Sequence, residues 1–241
     1  MTEDQAFAGI VALHRKASAQ AAAQTEAPAA RAGRALGCPG PLTLERLVCD
    51  PSLGALTASP TQVALVRAAD GVPFVLPADR ALFHFNAERL PSGRPRIVIL
   101  RTGVRAGKTL ISVLALLLSV LTCRFRRLPK EGEIPGADGL VGVRPGELVR
   151  AVIVAPKLKL ARSPFQHLVG TMQASPKLKE LFAEPPLKES CVIRRPDGRE
   201  VLVELVAADA GGAGLRSTWL AGALFDEADF HGAETAAENL T

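Results

Sequence analysis

The chain has 241 residues, 48% of them hydrophobic, with a mean hydropathy of +0.19, which is enough apolar side chain for a sizeable core and one domain. Twenty-nine Lys and Arg against 24 Asp and Glu give +5 and a pI near 9.3, a mild excess compatible with a nucleic-acid partner but not demanding one. Cys38, Cys49, Cys123 and Cys191 are far apart and lack Cys-x-x-Cys spacing, and His14, His84, His167 and His231 are scattered, so no metal cage can be read; the acidic start Met1-Thr2-Glu3-Asp4 does not read as a signal peptide.

Residues 1–35 are rich in Ala and Gln. Ala6 to Gln24 has the composition of a helix, and Ala27-Pro28-Ala29-Ala30-Arg31-Ala32-Gly33 reads as a linker, so the segment is expected to be a flexible or helical N-terminal arm. Residues 36–95 carry Pro and Gly punctuation between short helical stretches and read as a small subdomain or lid ahead of the core.

The core, 96–241, is expected to open with a buried parallel strand at Arg96-Ile97-Val98-Ile99-Leu100, a short β-branched run. The Leu-rich run from Leu110 to Cys123 is too long for a strand and suits a buried helix; at about fourteen residues it is short of the ~20 that a membrane span needs. Between them lies Thr102-Gly103-Val104-Arg105-Ala106-Gly107-Lys108-Thr109. A strand, a glycine turn and a helix N-terminus aim backbone N–H groups at one point, and the helix dipole makes that point favour an anion. Lys108 is placed to reach β- and γ-phosphates, and the Thr109 hydroxyl to ligate Mg²⁺. The usual pattern puts its first glycine where Thr102 stands, and Gly103 is one step late, so the loop is a deviant form. The plainer reading is a structural strand–turn–helix.

Eight Pro and Gly residues recur between Arg127 and Glu147, which marks a long loop. Val149–Ala155 follows as a strand and Pro164–Ala174 as a helix. Cys191–Arg195, the turn Pro196-Asp197-Gly198, and Glu200–Ala207 make a hairpin. Trp219–Phe225 is a last apolar strand, ended by Asp226-Glu227. Two carboxylates at that place sit in the crevice where open α/β sheets bind ligands. Asp226 would hold Mg²⁺ and Glu227 would deprotonate the attacking water; the alternative is an acidic first turn of a helix. Loop and acids together argue for hydrolysis of a nucleoside triphosphate. Arg124-Phe125-Arg126-Arg127 and Lys157-Leu158-Lys159 with Arg162 are the candidate DNA-facing clusters, against ordinary solvated charge.

Gly211-Gly212-Ala213-Gly214-Leu215-Arg216-Ser217 leading into Leu224-Phe225-Asp226-Glu227-Ala228-Asp229-Phe230 resembles the large terminase subunit of tailed bacteriophages. So do Val152-Ile153-Val154-Ala155-Pro156 with Ala161-Arg162 and the deviant loop; the resemblance runs from about Arg96 to Phe230. It implies a P-loop NTPase core (RecA/ASCE-like), a mostly parallel α/β sheet flanked by helices behind a small N-terminal helical subdomain. It also implies an ATP-hydrolysing motor that drives double-stranded DNA into a procapsid. By the same resemblance Lys108 and Thr109 are the phosphate and Mg²⁺ residues, and Asp226 and Glu227 the metal-binding and catalytic acids. Arg105 is the loop arginine near the γ-phosphate, a place that some members fill one position earlier, at Val104. Arg216, ten residues before Asp226, resembles an arginine offered to a neighbouring subunit's nucleotide in a homo-oligomeric ring; its alternative is a solvated loop arginine. Phe74-Val75-Leu76-Pro77 looks like the start of the family's adenine-side motif, but Arg80 stands near the place of the expected glutamine.

Portal protein and small terminase subunit are the further partners implied, with no membrane, and the cytoplasm of an infected host is the implied location. Such cores need strands beyond the acid pair, and terminases continue into a nuclease domain, so the chain is expected to be a C-terminally truncated fragment. The rivals are another P-loop ATPase acting on nucleic acid, such as a helicase, a small-molecule kinase lacking the Glu after the Asp, and an adaptor using the loop only as a turn.

Overall fold

The computed structural model describes residues 27–54, 58–71, 97–99, 107–123, 126–127, 142–143, 147–208 and 218–226. The helix expected at Ala6–Gln24 and the segment Phe74–Pro77 lie outside these. Three helices come first: α1 (Pro28–Ala35), α2 (Leu44–Cys49) and α3 (Pro60–Ala69). The long apolar helix is α4 (Lys108–Thr122). A short parallel pair follows, β1 (Arg126–Arg127) with β2 (Gly142–Val143), so a two-residue strand lies inside the stretch between Arg127 and Glu147 expected to be all loop. Then come β3 (Val149–Ala155), α5 (Leu158–Ala174), the single turn α6 (Pro176–Lys179), β4 (Ser190–Arg194), β5 (Glu200–Ala207) and β6 (Trp219–Phe225).

The fold is α/β. Its main sheet runs β4-β5-β3-β6, with β3 parallel to β5 and β6, and β4 antiparallel to β5. β3 is central and buried on both faces: Val149, Ala151, Ile153 and Ala155 join the main core, while Val152 and Val154 meet Ala208, Val206 and Phe225 on the other side. A strand covered on both faces reads as one continuous apolar run, which is why Val149–Ala155 was legible. The β4–β5 hairpin forms as expected, with β4 one residue earlier than Cys191–Arg195: Arg195 N donates to Arg199 O (2.8 Å), and Gly198 takes a φ of +81° at the turn.

Three expectations are corrected. Ala27–Gly33 is no linker but the first part of α1, with Ala32 and Gly33 buried; Pro28 sits at the start of the helix, where its missing N–H is harmless. A Cβ on Gly33 would stand 2.0 Å from Gly40 O, so the glycine is there for close packing rather than for freedom. α5 begins six positions before Pro164, because Ala161, Phe165, Leu168 and Met172 continue one apolar stripe through the proline. Finally, Ile97–Ile99 forms no strand and is exposed (70, 46 and 81%). β-branched residues suit a strand, but a strand also needs a ladder partner, and none of the described strands pairs with this segment.

α4 and α5 cover one face of the sheet, and α1 and α2 pack on α4. Side chains from 36–53 and 58–69 share a single core cluster with α4 and the sheet. At the far end, the buried Arg195 closes the carboxyl end of α4. It donates to Val120 O (2.9 Å), to Cys123 O (2.7 Å) and to Cys123 Sγ, while Asp197 holds its other edge (3.0 and 3.2 Å). A cation there satisfies orphan carbonyls and complements the helix dipole.

Replacing Arg195 by Ala is expected to destabilise the fold by about 3 kcal/mol, since it strips two carbonyls and leaves Asp197 without its ion-pair partner. Urea midpoints of the wild type and of Arg195→Ala check this. A second expectation concerns alkaline pH. Burial pushes the Cys191 thiol from 9.0 up to about 12. The unfolded chain then loses a proton that the folded one keeps, so this contribution is fully present below about pH 9 and is lost as pH rises towards 12. The loss should run at about 1.4 kcal/mol per pH unit, and subtracting the urea stability of Cys191→Val at each pH isolates it.

Candidate functional site

The direction of α4 follows from its contacts. Its last turn meets Arg195, between β4 and β5, which is the amino edge of the parallel strands. Midway, a Cβ on Gly222 of β6 would stand 3.1 Å from Leu116 Cδ1 and from Ser119 Cβ, so only glycine lets helix and strand approach this closely. The ladder between β3 and β6 shifts register at Arg150/Ala151, leaving Ala221 as the extra residue of a bulge beside that glycine. α4 therefore runs antiparallel to the strands, and its amino end points to their carboxyl edge.

That edge collects the described site residues. From the Gly222 contact, Thr109 lies about 10–15 Å along the helix at 1.5 Å per residue. Asp226 lies about 13 Å along the strand at ~3.3 Å per residue, so the two stand at comparable height. Asp226 follows β6 directly and its N–H donates to Val154 O (2.9 Å), which seats it beside the end of β3. Lys108, Thr109 and Asp226 are each half-buried. Gly107 is the residue before the helix, in the left-handed region (φ 78°, ψ 13°), and offers no side-chain cap to the first-turn N–H groups. Ser, Thr, Asp, Asn and Gly are the usual choices there, and of these glycine alone brings no side-chain acceptor.

Comparison with protein-family models, with curated proteins and with solved structures returned no match.

Thr102, Gly103, Val104, Arg105, Ala106, Arg216 and Glu227 lie outside the described residues, as do Arg80, Arg124 and Phe125. Of the candidate DNA-facing side chains, Arg162 is ion-paired to Glu189 (2.5 Å), while Lys157 and Lys159 are exposed at the amino end of α5. Among the described residues no group of three or more His, Cys, Asp or Glu is placed to hold a metal, and no helix is long and apolar enough to cross a membrane.

Sequence reasoning missed Gln62. Its Oε1 accepts from Ser59 N (2.8 Å) and its N–H donates to Ser59 Oγ (3.3 Å), a capping box that starts α3. Its Nε2 lies against Gly107: a Cβ there would stand 2.5 Å away. The Ser59-Pro60-Thr61-Gln62 signature announces a helix start, but not the loop that the amide meets.

Gly107→Ala is expected to destabilise the fold by about 2 kcal/mol, combining the left-handed backbone penalty with the clash on Gln62. In a Gln62→Ala background the clash disappears and about 1 kcal/mol should remain. Paired thermal or urea melts measure both.

Proposed function

We propose that the chain is the ATP-hydrolysing motor part of a viral DNA-packaging terminase, built on a P-loop core and acting on double-stranded DNA in the host cytoplasm. The observation that carries the reading is the shared edge: the start of α4, with Gly107, Lys108 and Thr109, faces the same side of the sheet as Asp226. First-turn N–H groups without a side-chain cap suit a phosphate acceptor. Lys108 adds a point charge for the terminal phosphates.

A hydroxyl and a carboxylate are hard oxygen donors, and Thr109 and Asp226 fit Mg²⁺ as a partial shell that phosphate oxygens and water complete. Bound there, the ion would neutralise charge developing on the β- and γ-oxygens. Glu227, next along the chain from Asp226, takes the proton of the attacking water. Arg105 in the loop and Arg216 from a neighbouring subunit stabilise the charge of the transition state, which makes turnover depend on a ring. Portal protein and small terminase subunit are the further partners of this reading.

The test is nucleotide affinity and ATP turnover of the chain with and without double-stranded DNA. Lys108→Ala and Asp226→Asn should lower turnover by about 10²–10³. Glu227→Gln should lower it by about 10²–10⁴ while nucleotide still binds. DNA stimulation supports the motor, and turnover indifferent to DNA favours a kinase-like enzyme. Absence of nucleotide binding in the wild type sinks the reading.

A further inference from the structure

No Asp or Glu occurs from Leu148 through Lys179, a stretch that contains all of α5. The inner side of α5 is fixed by Ala161, Pro164, Phe165, Leu168 and Met172, which are buried. The outer side exposes Lys157, Lys159, Gln166, His167 and Gln173, with Lys179 just beyond on α6. Basic residues at a helix amino end oppose its dipole, where acids are favoured. α5 has no acid in its first turn; Lys157 and Lys159 make no ion pair among the described residues, and Arg162 alone is neutralised, by Glu189. The acids that follow, Glu180 and Glu184, stand beyond α5 in the chain. This arrangement costs the isolated helix stability and gains it back when an extended anion lies along it.

We propose that the outer face of α5, from Lys157 to Gln173, grips the phosphate backbone of double-stranded nucleic acid; this deepens the DNA-motor reading above and depends on it. The chemistry favours phosphate over an acidic protein. Lysine, amide and hydroxyl donors are what backbone contacts use, whereas a protein interface wants aromatic or aliphatic anchors. The large apolar side chain exposed on α5 is Leu160, at 41%. From Lys159 to Gln173 the face is about 20 Å long, over which one strand of a duplex presents roughly six phosphates. α5 also starts where β3 ends, at the edge that holds Asp226, so the face begins beside the proposed nucleotide site.

The test is fluorescence anisotropy of the full chain with a labelled random-sequence duplex, from low to moderate salt. Lys157→Ala with Lys159→Ala should weaken binding about tenfold and reduce the log–log salt slope by about 1.8. Removing these lysines relieves the helix dipole, so a binding loss would not arise from unfolding. Gln166→Glu with Gln173→Glu, which adds charge without touching the core, should also weaken it. Arg34→Ala with Arg194→Ala, an equal loss of charge on exposed residues of α1 and β4, should leave it within twofold. Wild-type binding that the α5 variants do not alter overturns the assignment and leaves the DNA reading standing. No duplex binding by the wild type overturns both. Polyglutamate competing as well as DNA, charge for charge, overturns it in favour of an acidic protein.

Discussion

The constraint on which the structure turns is that α4 is apolar and buried over most of its circumference. Ile111, Val113, Leu114, Leu116, Leu117, Leu118, Val120 and Leu121 are all buried and cover about 220° of the helix at ~100° per residue, and the remaining strip, Ser112, Ala115, Ser119 and Thr122, is half-buried. Such a helix cannot lie on a surface; it needs neighbours on most sides. The sheet and α5 supply one side, and α1 and α2 supply the other. The N-terminal helices therefore share the core that α4 demands. Because α4 is enclosed, its axis and its polarity are fixed, and Arg195 fixes the end that hydrophobic packing alone leaves with orphan carbonyls.

From that enclosure the candidate site follows. A helix held antiparallel to three parallel strands has only one place for its amino end, the carboxyl edge of the sheet. Gly222 sets how near β6 comes, and the bulge at Ala221 sets the register from which Asp226 emerges. The polar residues at this edge make few demands on the fold. They are carried there by apolar packing that lies a dozen or so ångströms away, by the rises of helix and strand.

The same distinction decides what was legible in the sequence. β3, β5 and β6 have the limits that the sequence indicates, and β4 differs from Cys191–Arg195 by one residue, because double-sided burial and a Pro-Asp-Gly turn write themselves locally. Lys108, Thr109 and Asp226 were legible for a related reason: each follows or precedes an apolar run whose end marks the position. Ile97–Ile99 has the composition of a strand, but pairing is a long-range event that composition does not encode. Ala27–Gly33 failed in the opposite sense, since Pro and Gly suggested a linker while close packing against Gly40 made a helix of it. Gln62 was invisible as a neighbour of Gly107 because their approach is purely tertiary.

In the proposed reading, enclosure also limits how a change at the nucleotide edge can reach nucleic acid. α4 and α5 pack on each other and on the same face of the sheet. A close-packed interface of this kind resists small sliding and moves in discrete steps or as one body. With Arg195 tying the distal end of α4 to the hairpin, and Leu168 and Met172 tying α5 to the same core, neither helix is free to tilt alone. Differential contact at the α4 start must then displace the sheet and both helices together relative to a neighbouring subunit. The outer face of α5 is a surface that such a body would carry along.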